Sequence, residues 1–174
     1  MPQKYRRGRG RGGQPLLFLH SNMIAKEKIR KVAESKIKEI NGFLVDVKVN
    51  TANVITLFFD RMDGVHIEHC MTISKHIEEH FDRDIEDYQL TVCSAGLENP
   101  FMVDQQYHKY NGQEVGVLLN NGKRKKGIIL SYENDVLTLE TLKKEKGSKK
   151  SYITKELRIP QAEIKETKLK INFK

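Results

Sequence analysis

The chain of 174 residues has no tryptophan, two cysteines and no apolar run longer than a few residues. A helix that crosses a bilayer needs ~20 consecutive apolar residues, so an integral membrane protein is excluded. Cys70 and Cys93 form no Cys-x-x-Cys pair. That excludes a disulfide scaffold and a four-cysteine zinc site, and it favours a reducing, cytoplasmic setting. Aromatic residues make up only 7%, which disfavours a large aromatic-lined ligand pocket. What is present is polar: 31% of residues are charged against 38% hydrophobic, and mean hydropathy is -0.59. That is enough apolar material for a core, and too much for a chain disordered throughout.

The net charge of +8 is unevenly spread. Residues 1–22 hold five basic residues and no acidic one, giving +5. Residues 23–103 hold 10 basic and 14 acidic residues, giving -4. Residues 104–174 hold 16 basic and 9 acidic residues, giving +7. This asymmetry suggests a basic surface for nucleic acid and an acidic one for a cationic partner such as a basic protein. Plain surface variation is the alternative.

Arg6-Arg7-Gly8-Arg9-Gly10-Arg11-Gly12-Gly13 makes residues 1–22 a basic Arg/Gly-rich tail, expected to be disordered. It reads either as an RNA-contacting arm or as a stretch upstream of a true start at Met23. The run Leu16–Leu19 is too short for a secretory signal.

Residues 23–103 read as helix, strand, strand, helix, strand. Ser21 or Asn22 caps the first helix, and Ala25, Ile29, Val32, Ala33, Lys36, Ile37 and Ile40 form its stripe. Phe43, Val45, Val47 and Val49 alternate at strand period, and Val54 to Phe59 follow as an antiparallel partner. Helical spacing returns at Ile67, Cys70, Ser74, Ile77 and Phe81, and Tyr88 to Cys93 form a third strand. Two helices over one face of a small sheet satisfy this pattern. Residues 104–174 read as five short strands: 114–119, 127–131, 136–142, 152–159 and one from Ile164 onwards. The first pair is joined at Asn121-Gly122. So many short strands predict a closed, strongly bent barrel. Phe101 to Tyr110 is expected to connect the two units.

Catalytic chemistry finds little anchor. His66, His69, Cys70, His76 and His80 are the one cluster with metal-ligating potential. His76 and His80 lie one turn apart, but no third ligand shares that turn, so an exposed helix flank is the expected reading. Ser74 and Ser94 lack an evident His/Asp partner, no phosphate-binding loop follows a strand, and Cys93 is expected in the core. No catalytic residue, metal or cofactor is expected.

Basic runs fit binding better. Lys123, Arg124, Lys125 and Lys126 follow the hairpin turn, and Lys143, Lys144, Lys146, Lys149 and Lys150 fill a later loop, with Lys155 and Arg158 beyond. On one rim they would neutralise phosphates with little sequence preference. Tyr132 and Tyr152 are candidates for base stacking. A solvated loop that protects a sheet edge is the alternative.

Two stretches then carry a resemblance. Asp63-Gly64-Val65, Cys70 and Ile73-Ser74-Lys75-His76-Ile77 resemble one conserved pattern. Leu90-Thr91-Val92-Cys93-Ser94-Ala95-Gly96-Leu97-Glu98-Asn99-Pro100-Phe101 resembles another. Gln106-Tyr107, Gly112, Asn121-Gly122-Lys123, Ile159-Pro160 and Ile164 extend the match. Together they resemble the bacterial ribosome maturation factor RimP family, from about Met23 to Phe173. Ala95 stands where that family usually has Pro, and Asn99 where it usually has Arg.

The resemblance implies an α+β protein: an N-terminal α-β-β-α-β two-layer domain (23–103) followed by a C-terminal Sm-like (SH3-like) small β-barrel (104–174). It implies a non-enzymatic factor for ribosome biogenesis that binds the immature small ribosomal subunit through ribosomal RNA and a basic small-subunit ribosomal protein. Ser94, Ala95, Gly96, Leu97 and Pro100 would form the interdomain motif. The alternative is a free-standing Sm-like RNA-binding regulator. Such proteins hold uridines with an Asn, where Leu137-Thr138-Leu139 places Thr, and with an Arg-Gly pair, where Leu157-Arg158-Ile159-Pro160 has none. A monomer is therefore expected rather than a ring.

Overall fold

The structure is a computed structural model that describes residues 25–85, 87–144 and 152–171. It is mixed α+β, with two separate sheets. Helix α1 (Lys26–Glu39), strands β1 (Gly42–Val49) and β2 (Val54–Arg61), helix α2 (Ile67–Glu78) and strand β3 (Gln89–Ser94) come first. The sheet order is β1-β2-β3, with β1 antiparallel and β3 parallel to β2. The parallel pairing requires a crossover, and α2 supplies it.

The core of this part follows from two periods. Ile29, Ala33 and Ile37 recur at helical spacing on α1, and Ile55, Leu57 and Phe59 at strand spacing on β2. All six are buried together with Val47, Ile73, Ile77 and Tyr88. The stripe of α2 differs from the sequence reading. Ile73 and Ile77 are its buried positions, Cys70 is half-buried and Ile67 is exposed. Helix α1 has Ala25 at its N-cap, with no side-chain cap. The expected caps Ser21 and Asn22 lie outside the described residues.

A short helix, α3 (Asp104–Lys109), stands where a plain connection was expected. Strands β4 (Glu114–Leu119), β5 (Arg124–Glu133), β6 (Val136–Lys144) and β7 (Tyr152–Pro160) follow, then a 3-10 turn (Gln161–Glu163) and β8 (Ile164–Leu169). These strands form one sheet in the order β7-β6-β5-β4-β8, every described pairing antiparallel.

This sheet corrects the expectation of a closed barrel. Among the described residues, no hydrogen-bonded ladder joins β7 to β8, so the sheet keeps two edges. It is nonetheless strongly curled. The end of β7 and the start of β8 lie on opposite edges and at opposite ends of β5. In a flat sheet they would be roughly 35 Å apart. The three residues of the 3-10 turn span no more than about 14 Å. That turn touches both ends of the sheet: Gln161 N–H donates to Asp135 O at 2.7 Å, and Asn120 N–H donates to Glu163 O at 2.9 Å. Register shifts at Ile129/Ser131 and Leu118/Leu119 supply local bends. Gly127 packs closely against β6, where an added Cβ would collide with Glu140 O. The inner face packs Val115, Val117, Ile129, Leu137, Leu139 and Ile159 around Tyr107 and Tyr132. The β5–β6 turn is tight, with both Asn134 (φ 49) and Asp135 (φ 59) in the left-handed region. That is the two-residue turn whose twist suits a hairpin.

Candidate nucleic-acid interface

The basic run after the Asn121-Gly122 turn is not a loop. Arg124, Lys125 and Lys126 open β5 and pair with Leu118, Val117 and Gly116 of β4. On the other side of β4, Leu118 faces Glu166 and Gly116 faces Lys168 of β8. Residues directly opposite in neighbouring strands share a sheet face. Val115 and Val117 point into the core, so Gly116 and Leu118 point outward. Two rows therefore cross the outer face of the sheet: Arg124–Leu118–Glu166 and Lys126–Gly116–Lys168. They lie in a cleft of about 710 Å³ that also takes in Lys125, Leu169 and Lys170. Lys168 Nζ sits 3.3 Å from Glu166 Oε1 in an exposed pair, a geometry that contributes little in water. Lys168, Lys170 and Gly116 were not singled out in the sequence; the two lysines lie far from Arg124 along the chain, and strand register alone brings them to it.

The second basic segment is partly described. Lys143 and Lys144 close β6 opposite Ile153 and Tyr152 of β7. Antiparallel pairing puts the end of β6 at the same end of the sheet as the start of β5. Lys146, Lys149 and Lys150 lie outside the described residues, as does the Arg/Gly-rich tail.

Tyr132 is not a base-stacking residue. It is buried and stacks on Tyr107, ring centroids 4.4 Å apart and 8° from parallel. Burial pushes its phenol far above the ordinary tyrosine range. Tyr152 opens β7, and its side chain lies outside the described residues.

Ser94 to Pro100 run between the sheets. Ala95 N–H donates to Phe59 O at 3.1 Å, continuing the β2–β3 ladder, and Phe101 N–H donates to Thr167 O of β8 at 2.9 Å. Asn99 Nδ2 donates to Ala95 O at 2.6 Å, across Gly96 with φ 74. Ala95 is buried and Leu97 exposed. Nearby, Lys109 Nζ of α3 donates to Asp60 Oδ1 of β2 at 2.5 Å, with side chains only 14% and 5% exposed. This buried ion pair ties the two sheets together.

The histidine-rich helix gathers no ligand set. His69 contacts Arg61, His66 N–H donates to His69 Nδ1 at 3.1 Å, and His80 Nδ1 lies 2.8 Å from His76 O. Among the described residues, no three His, Cys, Asp or Glu side chains converge as a metal site. Cys70 and Cys93 are free half-buried thiols, and burial pushes both above the ordinary thiol range. No described helix is long and apolar enough to cross a membrane.

Residues 32–98 match the family model described as the RimP N-terminal domain. Ribosome maturation factor RimP of Porphyromonas gingivalis is 36% identical over 147 residues, 83% of this chain and 97% of that protein. The protein of the same name from Christiangramia forsetii is 34% identical over 151 residues, 85% of this chain and 99% of its own length. With that identity over nearly the whole length of both relatives, the chain belongs to the ribosome maturation factor RimP family.

Proposed function

We propose that this protein is a ribosome maturation factor that assists assembly of the small ribosomal subunit by binding rather than by catalysis. One observation carries the reading: a protein named for ribosome maturation is matched along 97% of its length. In this reading 23–103 and 104–174 are two domains. The second is an Sm-like fold, supported by a short helix followed by five antiparallel strands curled around one core. Its basic face, with Lys123 to Lys126 and the lysines of 143–150, meets ribosomal RNA of the immature subunit. The acidic first domain meets a basic small-subunit ribosomal protein, since opposite surface charge steers and orients such encounters. Ser94, Ala95, Gly96, Leu97 and Pro100 set the angle between the two. The protein acts as a monomer.

Gradient sedimentation of a cell extract tests the reading. The protein is expected to travel with immature small subunits at low salt and to leave them as salt rises. A protein found only in the free pool at low salt overturns it. A hexameric native mass with tight oligouridine binding would replace it with the Sm-like regulator.

A further inference from the structure

The outer face of the second sheet has a gap in its middle. Gly116 lies in the central row of β4, flanked by Lys126 on one side and Lys168 on the other. The two lysine Cα atoms are therefore about 10 Å apart across a residue with no side chain. A glycine weakens a strand, and it often marks a place where a ligand approaches the backbone. No packing reason accounts for this one. An added Cβ would meet nothing within 4 Å, and the backbone is not in the left-handed region. Gly127 on the next strand is the contrast, since there a Cβ would collide with backbone. Nor is the gap filled by neighbours. It opens into the 710 Å³ cleft, whose rim carries Arg124, Lys125, Lys126, Lys168 and Lys170 against the single acid Glu166.

We infer that Gly116 is the floor of a phosphate cradle, in which the ammonium groups of Lys126 and Lys168 close on one RNA backbone phosphate while Arg124 contacts the next. This rests on the RNA-facing reading of the second sheet and narrows it to three strands of the outer face. Ammonium–phosphate hydrogen bonds of about 2.8 Å are short and charge-assisted, and two flexible lysine stems can reach a phosphate seated between them. Leu118, in the adjacent row, gives the sugar an apolar surface. Glu166 limits the site: its pairing with Lys168 must be exchanged for the phosphate, so anion binding there is weakened until the RNA arrives.

The glycine makes the inference testable without disturbing the fold. The full chain is titrated against a short fluorescein-labelled RNA hairpin by anisotropy at several salt concentrations, with thermal unfolding run alongside. Gly116→Ala is expected to fold as the parent does and to weaken binding less than Gly116→Glu, since a methyl group only partly fills the floor. Gly116→Glu places a carboxylate between the lysines, and is expected to weaken binding on the order of tenfold and to lower the salt slope by about one. Lys126→Gln with Lys168→Gln should reproduce that loss, and Glu166→Gln should tighten binding. Should Gly116→Glu not fold, the lysine pair decides alone. If Gly116→Glu and the lysine pair both bind as the parent does while Lys123→Glu with Lys155→Glu weakens binding, the cradle is overturned and the RNA reading of the sheet stands. If the parent chain does not bind the hairpin at all, both fall.

Discussion

In the first sheet, three strands bury one face beneath α1 and α2; in the second, five strands curl until they bury their own. The difference decides what each presents to a partner. Helical cover fills one face of the first sheet with side chains committed to packing, and half of the ten lysines and arginines of residues 25–103 have an acid partner: Lys26 with Asp46, Arg30 with Glu34, Lys36 with Glu39, Arg61 with Asp63, Arg83 with Glu78. A curled sheet needs no cover, so the outer face of β4, β5 and β8 is left open to a ligand. The cores obey the same hydrophobic rule; the architecture determines which faces remain available.

Phe59→Ala gives the largest expected effect. Phe59 is fully buried beneath α1 and α2, and its truncation should cost about 3–5 kcal/mol. Urea unfolding, in a Tyr88→Phe background that removes the first core's tyrosine, is followed by thiol exposure of Cys70 and Cys93 for the first sheet and by tyrosine fluorescence for the second. Loss of thiol protection at lower urea while Tyr107 and Tyr132 hold would establish the sheets as separate cooperative units. Coincident loss would merge them.

Lys109→Ala comes next. It leaves Asp60 buried without its cation, at a cost of about 3 kcal/mol. Asp60→Asn with Lys109→Met should recover much of that. A double variant as unstable as the single one would show that the tie between the sheets is not the ion pair.

Gly127→Ala should destabilise the second sheet by about 1–3 kcal/mol through the collision with Glu140 O, while Gly116→Ala should change stability little. Equal stability of the two variants would remove the distinction between a glycine required by packing and one kept open.

Alkali should separate the sheets least. Burial raises the phenol values of Tyr107, Tyr110 and Tyr132, all on the second side. The native state then holds protons that the unfolded chain releases, so stability is whole below the ordinary tyrosine range and declines above about pH 10. The half-buried thiols give the first sheet a smaller trend of the same sign, beginning near the ordinary thiol range. A second sheet that loses no more stability than the first above about pH 10 would contradict this order.

Local patterns were legible in the sequence; long-range pairings were not. The stripe Ile29, Ala33, Ile37 and the alternation through Ile55, Leu57 and Phe59 are properties of short windows, and both were readable. Helix α3 was missed because six residues make fewer than two turns, too few for a period to show. Arg124 to Lys126 resembled a loop, since three adjacent charges hide the alternation of a strand; pairing with β4 decides the matter. Tyr132 looked like a surface aromatic because nothing nearby announces its stacking on Tyr107. The closed barrel failed for the same reason: whether two edge strands meet depends on the accumulated bend of all five. The candidate RNA face was half legible, its β5 lysines visible as a run and Lys168 and Gly116 recoverable only from register.

Pro160 to Ile164 works as a clasp. It is the shortest piece of chain that joins the two rims, and it is anchored on Asp135 at one end and Asn120 at the other. A backbone cut there would free the strands to spring apart like an opened cuff and bare the oily lining. The same excision in a hairpin tip would leave the cuff fastened.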